Sequence, residues 1–239
     1  MDLIDTVVLG RRITYALRPS TRARHVRIWA SPPTGFVLTV PVHREHDTAG
    51  IQRFLRRHAR WIVRQAAWLE TFAARASKRW PYGSTLPYCG EEHPVVLERT
   101  GRRSGVERTA EGRLVVRMRE PGIEGARRLL KRWFIVEALR RLDARVRLFG
   151  EMVGVKWRRV AVRDQRRRWG SCSSAGSLSF NYRLIMAPPQ VLDYVVIHEL
   201  AHRCHLNHSR RFWSLVAVHC PDYSASLAWL KSHGPYLGV

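Results

Sequence analysis

The stretch HELAH at residues 198–202 constrains the fold most strongly, and His208 follows it by six residues. An α-helix advances about 100° per residue, so His198 and His202 would point the same way and could bind one ion. Glu199 would lie slightly around that face, near enough to reach a metal-bound water without binding the metal. Three imidazoles leave a tetrahedral zinc ion one open position, which metal-assisted hydrolysis requires. The stretch therefore predicts a catalytic Zn²⁺ site with Glu199 as general base.

The third zinc ligand has two candidates, His205 and His208. On a continuous helix His205 would lie about 10 Å along the axis from His198, which is too far for one ion with zinc–nitrogen bonds of about 2 Å. A ligand beyond the helix must instead return on a turn. Asn207 suits a helix end because it tolerates the left-handed conformation, and Ser209 suits the N-cap of a following helix. This geometry favours His208.

Composition limits the class of protein. The chain has 239 residues, 45% of them hydrophobic, and nine Trp, which indicates a folded protein with a sizeable core. Lys and Arg outnumber Asp and Glu by 42 to 19, and the net charge of +23 indicates either binding of polyanions such as nucleic acid or only a solvated basic surface. Four cysteines without a C-x-x-C spacing indicate neither a disulfide framework nor a cysteine zinc site. Because we find no signal segment and no apolar run of membrane-spanning length, we expect a cytoplasmic protein without a membrane span.

Hydrophobic patterns predict two domains, residues 1–119 and residues 120–239. The first is strand-rich, with predicted strands at 13–17, 25–30 and 36–40 and further strands within 86–118. One long helix interrupts them at 48–76, and its core stripe includes Ile51, Leu55 and Ile62. Four arginines on the opposite side form a basic ridge, which could bind phosphates but which we interpret as a solvated face: Arg53, Arg57, Arg60 and Arg64.

The second domain is predicted to be α+β. A long helix at 125–149 is followed by a strand at 159–162 and by a turn at 174–176 that leads into a strand at 178–185. The helix that carries His198 and His202 and two further helices, at 209–219 and 222–233, complete this domain. The core stripe of the long helix is predicted to comprise Ile135, Leu139, Leu142, Val146 and Phe149. The strand at 178–185 is the predicted wall of the site, where an extended peptide could bind by strand addition.

Several segments of residues 155–233 together resemble the YgjP-like family of metal-dependent hydrolases, which is related to the SprT-like and WLM metallopeptidases. These segments are RWGSCS at 168–173, NYRL at 181–184, APP at 187–189, DYVV at 193–196, HELAH at 198–202, and NHS at 207–209 with Phe212 and Trp213. The resemblance implies a zincin-like fold in which His198, His202 and His208 bind zinc and Glu199 is the general base. It also implies a protein or peptide substrate, and the basic surface would suit proteins bound to nucleic acid.

Three functions are compatible with these residues. The first is a zinc metallopeptidase, for which the candidate transition-state or substrate contacts are Tyr182, Arg183 and His205. The second is a metal-dependent hydrolase of a nucleotide or other small anionic substrate, for which the candidate anion-binding residues are Arg166, Arg167 and Arg168. The third is a basic nucleic-acid-binding module with a structural metal. We favour the first, because the sequence has neither a Gly-rich phosphate loop nor a carboxylate-rich magnesium cluster.

Overall fold

The structure is a computed structural model that describes residues 3–31, 35–76, 80–81, 85–165 and 168–239. The chain divides into two compact units, Met1–Ser77 and Lys78–Val239. Both units combine helices with small mixed sheets, which confirms the predicted α+β class. Within the described ranges, every helix is too short or too polar to cross a lipid bilayer.

The first unit is a four-stranded sheet with two helices. The strands pair in the order β1-β2-β4-β3 and are β1 (Leu3–Val8), β2 (Arg11–Ser20), β3 (Arg27–Ser31) and β4 (Gly35–Pro41). Two helices follow, α1 (Thr48–Arg57) and α2 (Ala59–Ala76), where one had been predicted. They are separated at His58, whose ring nitrogen Nδ1 lies 2.9 Å from the carbonyl oxygen of Phe54. Ile51, Leu55 and Ile62 are buried as predicted, and the four arginines of the ridge are exposed.

The second unit begins with a sheet ordered β5-β6-β8-β7, formed by β5 (Thr85–Tyr88), β6 (Glu91–Arg99), β7 (Gly105–Arg108) and β8 (Leu114–Met118). This sheet belongs with the C-terminal residues, so the division differs from the boundary predicted between residues 119 and 120. The reason lies in long-range contacts of the β5–β6 turn. The backbone N–H of Cys89 donates to the carbonyl of Ile185 at 2.7 Å. The phenol of Tyr88 donates to Glu137 at 3.0 Å.

A long helix, α3 (Ile123–Val153), forms the centre of the second unit. Its buried stripe recurs mainly every four residues and comprises Ala126, Leu130, Phe134, Ala138, Leu142, Val146, Phe149 and Gly150. The predicted stripe was therefore wrong in its N-terminal half, because Leu139 is exposed and Ile135 is only partly buried. Arg145 pairs through two hydrogen bonds, at 2.6 and 2.7 Å, with Asp193 on the next helix, which holds the two helices in register.

The remaining elements surround α3. They are β9 (Arg159–Arg163), β10 (Gly170–Cys172), β11 (Ser177–Asn181), a 3₁₀ turn (Tyr182–Met186), α4 (Pro189–Ala201), α5 (Arg210–His219) and α6 (Tyr223–His233). The three strands form a sheet of order β10-β11-β9, in which β11 pairs antiparallel with β10 and parallel with β9. The predicted strand at 178–185 therefore ends at Asn181, and its second half is the 3₁₀ turn. Helices α5 and α6 lie where the sequence predicted them.

Candidate metal centre

Helix α4 and the turn after it bring three histidine side chains together. The helix forms because Pro189 suits its first turn and because its apolar residues, including Val195 and Val196, are buried. It ends at Ala201, and His202 is its C-cap with right-handed helical angles, so the ring still lies near that of His198. One ligand nitrogen from each of His198, His202 and His208 lies within 4.8 Å of the others. The described part of the chain contributes no fourth His, Cys, Asp or Glu to this group.

The spacing of these nitrogens fits a metal ion. The Nε2 atoms of His198 and His208 are 3.1 Å apart. A tetrahedral ion with zinc–nitrogen bonds of about 2.0–2.1 Å would hold two ligand nitrogens about 3.3 Å apart. His202 donates from Nδ1 to the backbone carbonyl of His205 at 3.1 Å, which leaves the lone pair on Nε2 for a metal. Nδ1 of His198 is buried and has no hydrogen-bond partner in the described residues, so its Nε2 is the atom that faces the group.

Burial keeps the imidazoles neutral, which is the form that binds metal. It lowers the pKa of His198 to about 4, with further lowering by His202 and His208. Burial also lowers the pKa of His202. The first two rings of the group therefore require no deprotonation near neutral pH.

Aromatic side chains pack around the three histidines. The Phe212 ring lies 4.9, 4.7 and 4.8 Å from the rings of His198, His202 and His208. The Trp213 ring stacks on His208 at 5.7 Å. These contacts restrict the rings to rotamers that point at one centre. The four-residue spacing of His208 and Phe212 is the feature of the sequence that indicates such a contact.

Glu199 lies beside the group in a position where it is almost fully buried. Only 5% of the residue is exposed, and burial raises the pKa of its carboxyl group to about 7. The backbone of β10 passes very close to it, since a Cβ added at Gly170 would lie 2.5 Å from Oε1 of Glu199. Glycine at this position therefore lets the strand approach the carboxylate.

A cavity of about 320 Å³ opens beside His198 and Glu199. Its walls are formed by Arg168, Trp169, Gly170, Tyr194, Val195, His198, Glu199, Leu227, Leu230 and Lys231. Most of this lining is apolar, and its two cations are Arg168 and Lys231. Sequence reasoning missed Tyr194 and the residues of α6; Tyr194 precedes His198 by four residues, so helical spacing alone places it on the same face.

Comparison with known proteins places this arrangement in a family. The family model described as "YgjP-like, metallopeptidase domain" matches residues 24–233. The chain belongs to the YgjP-like family. This confirms the resemblance found in residues 155–233, extends it over most of the chain, and makes the protein a metallopeptidase whose family implies a bound metal. No curated protein matches the chain.

Two solved structures of metallopeptidase zymogens resemble part of this YgjP-like chain. They are those of Pyrococcus abyssi abylysin and Methanocaldococcus jannaschii jannalysin, with sequence identities of 18% and 15%. The TM-scores are 0.33 and 0.32, and the matched regions cover 38% and 36% of this chain and 93% of each of those chains. The family assignment rests on the family model and not on these two structures.

The wall of the YgjP-like site is β10, and not the predicted strand at 178–185. β11, which contains the first part of that prediction, is paired on both sides and has no edge to offer a substrate. β10 is one of the two edge strands of the sheet, and its Gly170 adjoins Glu199. An extended peptide that adds to this edge would therefore pass beside the carboxylate.

Several predicted contact residues lie elsewhere. Tyr182 is fully buried in the core, and Arg183 pairs with Asp164 at 2.6 Å, because the chain turns into the 3₁₀ segment after Asn181. Neither lines the cavity. His205 takes part through its backbone carbonyl, which accepts from His202. Of the predicted anion-binding residues, Arg168 lines the cavity, and Arg166 and Arg167 lie outside the described residues.

Arg203, which sequence reasoning did not single out, ties the end of α4 to the sheet. Its Nε donates to the carbonyl of Lys156 at 3.1 Å, and its Nη1 donates to the carbonyl of Ser174 at 2.7 Å. Ser174 lies in the turn between β10 and β11. The guanidinium of Arg203 therefore connects the chain just after His202 to the turn between β10 and β11.

Proposed function

We propose that this metallopeptidase is a zinc enzyme in which His198, His202 and His208 bind the metal and Glu199 is the general base for hydrolysis of a peptide bond. The observation that carries the proposal is the set of three imidazole nitrogens within 4.8 Å, next to a buried carboxylate on the same helix. Three protein ligands leave an open position, which is typical of catalytic rather than structural zinc. His205 and Cys172, which could have closed the shell of a structural site, are not members of the group.

The chemistry divides between the metal and the chain. When bound, zinc supplies a Lewis acid for the scissile carbonyl and lowers the pKa of a water molecule. Glu199 accepts a proton from the attacking water on a carboxylate oxygen and then donates it to the leaving amine nitrogen. In the metal-free protein burial raises the pKa of this carboxyl group to about 7, and the charge of a bound zinc ion would lower it, which favours the carboxylate form that the first step needs.

The substrate is positioned by β10 and the cavity. A peptide chain in extended conformation would pair with the free edge of β10, where main-chain hydrogen bonds fix its direction. One of its side chains would enter the cavity between Trp169, Tyr194 and Leu230. Walls of this kind exclude water from the reacting groups, which strengthens the electrostatic interactions between them.

The test compares wild-type protein with Glu199→Gln on unfolded protein substrates, with and without chelator. We expect zinc-dependent cleavage by the wild type and a loss of about 10²–10⁴-fold in kcat for the variant, with one zinc still bound per chain. Glu120→Gln serves as the control, because it removes the same charge from an exposed position in the same unit. A fully active Glu199→Gln would refute the general-base role. Hydrolysis of nucleoside triphosphates without any peptide cleavage would refute the proposed substrate.

A further inference from the structure

The outer face of the β9–β11 sheet is polar and basic. The inner face carries Leu178 and Phe180, which are buried in the core. Strand alternation places other residues on the opposite face, and the observed register aligns Ser177 with Arg159 and Ser171 with Ser179. The register places on this face Arg159, Ala161, Arg163, Ser171, Ser177, Ser179 and, opposite Arg163 at the end of β11, the buried Asn181.

A second cavity, of about 410 Å³, lies on this face. Among the described residues its lining includes two arginines and four serines but no carboxylate, and consists of Arg159, Arg163, Gln165, Ser171, Cys172, Ser173, Ser177 and Ser179. It shares no residue with the cavity beside Glu199. Everything that lines it is neutral or cationic, so it is suited to an anion.

The two arginines of this face are available for a ligand. Within the described residues, neither Arg159 nor Arg163 forms an ion pair, and both side chains belong to exposed residues. The nearest acidic neighbour in sequence, Asp164, is already engaged by Lys131 and by Arg183, each at 2.6 Å. Arg145, by contrast, is paired with a carboxylate through two hydrogen bonds. The positive charge of this face is therefore not neutralised by the chain itself.

Two buried polar atoms of the cavity lining also lack partners. They are Oγ of Ser179 and Oε1 of Gln165, neither of which has a hydrogen-bond partner among the described residues. A buried polar group without a partner costs about 1–3 kcal/mol, so it calls for a ligand or water in a native protein. The Ser179 hydroxyl can donate to an anion, and a half-turn of the Gln165 amide would present its NH₂ group to the same ligand.

We propose that this face binds phosphate groups of the nucleic-acid backbone. Guanidinium and hydroxyl groups are the donors that phosphate oxygens accept from. The Cα atoms of Arg159 and Arg163 are separated by four residues of strand, or about 13 Å, so the two charges lie along a strip that suits a polymer of phosphates better than a single one. The described residues of the lining offer donors to phosphate oxygens and no aromatic ring on which a base could stack, so the proposed contacts are to the backbone and carry no sequence preference. The site goes beyond the peptidase chemistry and requires no metal.

The test measures binding of fluorescently labelled 20-nucleotide DNA, single-stranded and duplex, by anisotropy over a range of salt concentrations. We expect the double variant Arg159→Gln/Arg163→Gln to bind at least about tenfold more weakly, since each arginine contributes a charge-assisted hydrogen bond. The slope of log K against log salt should fall by about 2 for duplex DNA, because two phosphate contacts are lost. The control is Arg102→Gln/Arg103→Gln, which removes the same charge from exposed positions of the same unit.

A second variant distinguishes a loss of DNA binding from a loss of folding. Ser177→Glu places a carboxylate directly opposite Arg159, where a cross-strand ion pair would stabilise the sheet while competing with phosphate. It should weaken DNA binding and leave the thermal unfolding midpoint unchanged or higher. Equal losses in the Arg159/Arg163 variant and the Arg102/Arg103 control would overturn the proposal, since only general charge would then be responsible. A loss of ATP binding with unchanged DNA binding would also overturn it. DNA binding by a zinc-loaded protein that cleaves no peptide would refute only the proposed function.

Discussion

Substitution of Gly170 by alanine tests whether β10 sets the position of Glu199. The added Cβ would lie 2.5 Å from Oε1 and 2.6 Å from Cγ of Glu199, whereas ordinary van der Waals contact begins at 3.4 Å. The carboxylate must therefore move by roughly 0.9 Å, or β10 must move away from α4. A misplacement of about 1 Å in a catalytic group can lower the rate about 100-fold, equivalent to about 2.7 kcal/mol in activation free energy.

The assay is steady-state cleavage of a quenched fluorescent peptide, together with zinc content and thermal unfolding. We expect kcat to fall about 100-fold in Gly170→Ala, with one zinc retained, because none of the three histidines contacts Gly170 in the cavity wall as closely as Glu199 does. Overpacking should also lower the free energy of unfolding by about 1–3 kcal/mol. Gly105→Ala is the matched control, since a Cβ at that strand position meets no atom within 4 Å. Unchanged kcat in Gly170→Ala would show that the approach of β10 to the carboxylate has no part in catalysis.

Two further predictions concern stability and the position of α4. Burial raises the pKa of Glu199 from 4.5 to about 7, so the folded metal-free protein binds more protons than the unfolded chain in this range, and stability falls as pH rises through it. Glu199→Gln should therefore stabilise the metal-free protein by up to about 3 kcal/mol at pH 8 and by almost nothing near pH 4. Urea unfolding in the presence of chelator measures this difference. No gain in stability at pH 8 would contradict burial as the cause of the raised pKa. Arg203→Gln should lower the free energy of unfolding by about 2 kcal/mol and reduce kcat with zinc retained, because it removes the bonds to Lys156 and Ser174. Arg203→Lys should restore part of the stability and part of kcat. Unchanged kcat and stability in Arg203→Gln would show that these two bonds are dispensable.

The metal group could be predicted from sequence because its geometry is local. His198 and Glu199 are fixed by the helical period alone. The prediction of His208 required only that the helix end before it and that the chain turn back. A residue farther along a continuous helix would lie about 10 Å from His198, which is too far for one ion with zinc–nitrogen bonds of about 2 Å. The turn after α4 comes earlier than expected, at Ala201 rather than at Asn207, but the ring of His202 still falls within the group.

Features that depend on tertiary contacts could not be predicted in this way. The stripe on α3 is set by the elements packed against it, and apolar residues such as Leu139 occur on more than one of its faces. The break between α1 and α2 at His58 could not be predicted, because no Pro or Gly lies there. The assignment of residues 85–118 to the second unit depends on bonds such as that from Cys89 to Ile185, which join residues far apart in sequence.

The sequence marks the end of β11 with Asn181. Asn181 uses its whole side chain at the turn: Nδ2 donates to the carbonyls of Gln165 and Arg168, at 2.7 and 3.1 Å, and Oδ1 accepts from the N–H of Arg183 at 3.1 Å. Asparagine favours such local bonding to the backbone over strand pairing. The apolar residues after it, Leu184 and Ile185, are buried in the 3₁₀ turn and so mimic the pattern of a buried strand.

The brevity of β10 has a consequence for how selective the enzyme can be. Its three residues offer an incoming chain only a short ladder of main-chain bonds, so ladder formation alone would give low affinity for any one polypeptide. The same brevity limits self-association of the folded protein, since long exposed edges promote stacking between copies. If a substrate binds here as proposed, its affinity must come mainly from the side chain that enters the cavity beside Glu199 and little from the strand pairing itself.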